Sequence, residues 1–137
     1  MNSKLLALII MALGLFVSLL PWHIFPVCVP AGTALPMKCY WSGQLASGLG
    51  GLVSLVGLFM ACTRSASLCA ALGVMLAALG LLLMAVPVQL VGLCASPAMP
   101  CRQGTLPALC LSGGLLCVLG LLLFGLMKKR ARPGWQA

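Results

Sequence analysis

Four apolar runs, each close to twenty residues long and separated by short Pro-, Gly- or Cys-bearing segments, take up most of the chain. They cover about 5–25, 43–61, 67–86 and 106–127. A helix of roughly twenty apolar residues crosses the ~30 Å hydrocarbon core of a bilayer. A backbone in lipid must satisfy its own N–H and C=O groups, which a helix does within one segment. The composition agrees. Of the 137 residues 63% are hydrophobic and 6% charged, whereas a soluble domain carries about a quarter charged residues. The expected fold is all-α: an integral membrane four-helix bundle forming one domain over 1–137.

The first run has a basic start at Lys4 and a long apolar core, as a signal peptide has. The bulky "LLPWHIF" after it offers no small-x-small cleavage site, so it reads as an uncleaved span. Pro21 is expected to kink or end that helix near the interface.

The charge is one-sided: eight Lys/Arg and no Asp or Glu. No basic stripe is interleaved with aromatics, which argues against a nucleic-acid partner. The cations gather at the span ends. Lys4, Arg64, Lys128, Lys129, Arg130 and Arg132 fall on one side, Lys38 and Arg102 on the other. By the positive-inside rule both termini and the "TRSAS" turn are cytoplasmic, and the loops at 28–43 and 94–104 extracytoplasmic. The expected location is the cytoplasmic (inner) membrane, multi-pass, with the lipid bilayer as main partner. Without carboxylates there is no acidic general base and no hard-cation cage. His23 is the one conventional base near neutral pH, so any chemistry here is expected to run largely on sulfur.

Helices in lipid associate where small residues let backbones approach. Each span carries such a stripe at helical spacing: Ala7, Met11, Gly14, Ser18; Gly43, Ser47, Gly50/Gly51, Ser54, Gly57, Ala61; Ala66, Ala70, Gly73, Ala77, Gly80; and Cys110, Gly113/Gly114, Cys117, Gly120. The halves 1–62 and 63–127 share one plan, span–Cys loop–span. Any duplication behind this shared plan is expected to be of the parallel kind, with its axis along the membrane normal.

Eight cysteines divide by compartment. Cys28 and Cys39 flank "CVPAGTALPMKC", and Cys94 and Cys101 flank "CASPAMPC". In an oxidising compartment these four are disulfide candidates with three possible connectivities. They are also redox candidates. The spacings, Cys-x10-Cys and Cys-x6-Cys, lack the Cys-x-x-Cys that poises a reactive thiol. The four-span plan with two outer cysteine pairs nevertheless resembles disulfide bond formation protein B and vitamin K epoxide reductase. A soft-metal set of His23, Met37, Cys39, Met99 and Cys101 would suit Cu(I) or haem. Hydrophobic capping by the methionines and an interfacial role for His23 are the plainer readings. Cys62, Cys69, Cys110 and Cys117 read as small packing residues.

"PWHIFPVC" (21–28), "MKCYWSG" (37–43), "MPCR" (99–102) and "GTLPAL" (104–109) resemble the family of small four-span membrane proteins termed domain of unknown function 4418. That resemblance implies the same bundle, a His at 23 and cysteines at 28, 39, 94 and 101. It also implies an accessory role beside an ABC-type export permease.

The leading expectation is therefore a non-enzymatic accessory or interaction subunit with a disulfide-braced outer cap and no cofactor. Its partner would be a membrane protein such as an ABC-type permease, or a second copy in a homo-oligomer. A quinone-linked thiol–disulfide oxidoreductase and a Cu(I)- or haem-binding module are the alternatives. Gly14, Gly43, Ser47, Gly73, Gly80, Gly113 and Cys117 are the expected helix-packing residues.

Overall fold

The computed structural model describes residues 3–24, 38–90 and 101–131. All of these are helical apart from the turn at 63–65. Helix α1 is Ser3–Leu19, α2 Lys38–Cys62, α3 Ala66–Ala85 and α4 Leu106–Ala131. Four stretches are long and apolar enough to span a membrane: Lys4–Ile24, Tyr40–Cys62, Ala66–Leu90 and Gln103–Lys129. The shortest has 21 residues, about 32 Å at 1.5 Å per residue.

These helices outrun the apolar stretches read from sequence. α2 begins at Lys38, ahead of position 43, and the third helical segment continues past 86 to Leu90. Hydropathy marks where lipid ends, but a backbone near lipid keeps its hydrogen bonds until water can replace them. Tyr40 and Trp41 therefore stand on the first turn of α2 and pack edge-to-face at 6.3 Å between ring centroids.

Proline does not end either helix that meets it. α1 continues through Leu20–Ile24 as a wider π-turn containing Pro21, and α3 continues through Val86–Leu90, containing Pro87. Proline lacks an N–H and its ring collides with the carbonyl four residues back. An extra residue in the turn relieves that collision. A third π-turn, Cys101–Thr105, leads into α4.

The turn at 63–65 is tight. The Thr63 N–H donates to the Phe59 carbonyl at 3.0 Å and its hydroxyl donates to the same oxygen at 2.9 Å. The Cys69 N–H donates to the Ser65 carbonyl at 3.1 Å, opening α3.

α1 lies along α2, and α3 along α4, as two closely packed antiparallel hairpins. Between hairpins the contact is slighter, chiefly α2 against α3 and then α1 against α4. Both hairpins contribute to a central seam. Ile10, Val17, Leu76, Leu109 and Leu116 are fully buried there, with Val53 and Leu83 nearly so. Leucines such as Leu55, Leu81, Leu111 and Leu121 point outward, as lipid-facing side chains do.

Candidate functional site

Close approach of backbones is the main device of each hairpin. A Cβ placed on Gly14 would stand 2.8 Å from the Gly50 carbonyl oxygen, and one on Gly50 2.8 Å from that of Gly14. In the other hairpin a Cβ on Gly80 would stand 2.6 Å from the Gly113 oxygen, and one on Gly113 2.7 Å from that of Gly80. Real Cβ atoms do not sit that close to backbone, so each carbonyl occupies the space a neighbouring side chain would need. Two turns away, Gly57 meets the Ala7 carbonyl and Met11 amide, while Gly120 meets the Gly73 carbonyl and Ala77 amide. Of each glycine doublet one member faces the partner helix, Gly50 and Gly113. Gly51 and Gly114 have nothing within 4 Å of a would-be Cβ.

Polar groups follow the same register. Ser54 on α2 donates to the Gly50 carbonyl at 3.1 Å and reaches toward that of Met11 at 3.4 Å. Ser47 donates to the Ser18 carbonyl at 3.1 Å and accepts from Trp22 Nε1 at 2.8 Å. Trp22 in turn meets Tyr40 edge-on at 6.0 Å. These bonds fasten the π-turn of α1 to the start of α2. In α4, 63 positions on, Cys110 and Cys117 stand where Ser47 and Ser54 stand in α2; both are half-buried free thiols. Gly43 is buried on α2.

Among the described residues, two buried hydroxyls have no hydrogen-bond partner. Ser42 and Thr105, each 2% exposed, are buried and unpaired at the loop-bearing end of α2 and just before α4. They too are 63 positions apart. Neither stood out in the sequence; the shared spacing was the available signal.

The sulfur-bearing loops fall largely outside the described residues. Cys28, Cys94, Met37 and Met99 lie there, and for Cys39 and Cys101 only the backbone is described. Cys39 is in the first turn of α2 and Cys101 opens the π-turn before α4. His23 is exposed on the π-turn of α1. Among the described residues no three His, Cys, Asp or Glu come together as a metal site. Cys62 is an exposed free thiol and Cys69 a buried one.

The described surface includes two concavities. An apolar groove of about 520 Å³ runs between α1 and α2, lined by Met11, Leu15, Gly48, Gly51, Leu52 and Leu55 among others. A second cavity, of about 430 Å³, opens at the basic end, around Lys4 and Arg64.

Four membrane-length helices paired into glycine-locked hairpins define a multi-pass helical membrane protein. The sequence profile of a family described as a domain of unknown function, DUF4418, matches residues 9–125, and the chain belongs to that family. No curated protein and no solved structure matches it.

Proposed function

We propose that this protein is a non-enzymatic accessory subunit of a membrane complex, its outer loops braced by disulfides among Cys28, Cys39, Cys94 and Cys101. The supporting observation is the open glycine face of the α1–α2 groove. Gly48 and Gly51 have nothing within 4 Å of a would-be Cβ. A glycine inside a helix costs up to about 1 kcal/mol relative to alanine, and lipid tails gain nothing from the missing side chain. A partner helix does gain, because its backbone can come close. The same chain already uses buried glycines in this way at Gly14, Gly50, Gly80 and Gly113.

The partner is a transmembrane segment of another membrane protein, such as an ABC-type permease. The charge count supports an inner-membrane orientation with the loops outside. The matched registers of the two hairpins support a parallel duplication of one hairpin.

The test is a photo-crosslinking residue at Leu52 or Leu55, with Leu121 on α4 as the comparison. A discrete heterologous adduct from the groove, lost in Gly48→Leu/Gly51→Leu, is the expected result. Adducts to lipid alone, or to a second copy alone, would overturn the reading.

A further inference from the structure

The cavity at the basic end is built where all four helices converge. Lys4 comes from the first turn of α1, Cys62 from the end of α2, Thr63 and Arg64 from the turn, Cys69 from the first turn of α3 and Met127 from the last turns of α4. All four membrane-length segments have an end within this layer, which puts the cavity at head-group depth.

Its electrostatics are uncompensated. Two cations line it, and the chain has no Asp or Glu to pair with either. The start of α3 opens onto the same space, since Ala66 and Cys69 also line it. That helix start has no acidic residue in its first turn and no side-chain cap, because the Ser65 hydroxyl pairs with that of Ser67 at 3.0 Å. The first amides of a helix lack intrahelical acceptors and carry a partial positive charge. Two side-chain cations and a helix start therefore converge on a concave space that has no anion among the described residues. Two other cations at this end are placed differently: Lys128 Nζ lies 5.2 Å over the Phe124 ring, and neither Lys128 nor Lys129 lines the cavity.

We propose that this cavity binds the phosphodiester head group of an anionic phospholipid between Lys4 and Arg64. Basic pockets between transmembrane helices suit such head groups, and helix starts suit phosphate oxygens. Met60 and Met127 line the same space and offer apolar surface to the glycerol backbone and the first acyl carbons. A lipid phosphate is the anion concentrated at this depth, which selects it over soluble phosphate.

The test uses the full chain in micelles holding equal phosphatidylglycerol and phosphatidylcholine, with retained lipid counted by native mass spectrometry. The wild type is expected to retain phosphatidylglycerol preferentially. Lys4→Gln/Arg64→Gln is expected to lower that preference by about fivefold per cation removed. Lys128→Gln/Lys129→Gln, which removes the same charge, is expected to leave it unchanged. Equal loss in both variants overturns the proposal in favour of diffuse surface attraction. Displacement of the lipid by equimolar glycerol phosphate overturns it in favour of a soluble ligand. A second readout needs no variant: Cys62 lines the cavity and is exposed. Its N-ethylmaleimide labelling, resolved by peptide mass, is expected to slow in phosphatidylglycerol nanodiscs relative to phosphatidylcholine ones. An unchanged rate overturns the proposal even if the double variant fails to fold.

Discussion

Gly80 and Gly113 each hold a backbone carbonyl in the space the other's side chain would fill, at 2.6 and 2.7 Å from the would-be Cβ atoms. Gly14 and Gly50 repeat the relationship in the first hairpin, both at 2.8 Å. Gly14 and Gly80 lie 66 positions apart, Gly50 and Gly113 63 apart. Buried positions follow the same offsets: Ile10 with Leu76, Val17 with Leu83, Ala46 with Leu109, Val53 with Leu116. Both hairpins thus pack through the same register, at glycines in the middle of each helix.

Alanine at these four glycines must push two helix backbones apart. Overpacking of this kind costs about 1–3 kcal/mol. Gly80→Ala and Gly113→Ala are expected to lose that much in unfolding from mixed micelles, and Gly14→Ala and Gly50→Ala a similar amount. Gly51→Ala and Gly114→Ala, the neighbours facing open space, are expected to lose nothing and to gain a few tenths from helix propensity. Equal losses at Gly50 and Gly51 would show that the register is wrong.

The buried hydroxyls of Ser42 and Thr105 give the opposite sign. A buried polar group without a partner is destabilising by roughly 1–3 kcal/mol, and an apolar group of the same shape removes that cost. Thr105→Val and Ser42→Ala are therefore expected to raise the unfolding free energy, by about 1 kcal/mol each. A fall instead would mean that the hydroxyl is bonded in the folded protein.

The four spans and the helical class were legible because twenty apolar residues admit few other structures. The rotation of each helix was less so. Neighbouring residues on a helix are 100° apart, and these helices are apolar on every face, so Gly50 cannot be told from Gly51 by hydropathy. Only the opposing helix, with its carbonyl at Gly14, separates them. The π-turns at Pro21 and Pro87 were hidden for a similar reason. Proline announces a conflict with the straight helix, while the turn's own packing decides whether the helix breaks or widens. The basic cavity was invisible because Lys4, Arg64 and Met127 are far apart in the chain and meet only through the fold.

Trp22 and Ser47 form the bond that ties the π-turn of α1 to α2, at 2.8 Å, and the Ser47 hydroxyl in turn donates to the Ser18 carbonyl. Hydrogen bonds between helices in a membrane average about 0.6 kcal/mol. Ser47→Ala, which removes two, is expected to cost about 1 kcal/mol. Trp22→Phe keeps the apolar body and removes the donor. In a double-mutant cycle the pair is expected to couple by about 0.5 kcal/mol. Additive losses would show that the indole bonds elsewhere.

The eight cysteines supply a further prediction that separates a structural brace from redox chemistry. Cys62, Cys69, Cys110 and Cys117 are free thiols, and the brace proposed above engages the other four. Denatured without reductant, the protein is therefore expected to take up four maleimide mass tags, and eight after strong reduction. In the native state Cys62 is expected to react first, since it is exposed, and Cys69 last, since it is buried. A structural disulfide resists reduction at potentials above about −300 mV, while an exchanging pair opens near the glutathione range. Resistance of all four loop cysteines to mild reductant is thus the expected result. Eight tags without any reductant would remove the brace. Four that rise to eight under a glutathione buffer would replace it with thiol–disulfide exchange, because a structural disulfide has a potential too low for glutathione to reduce.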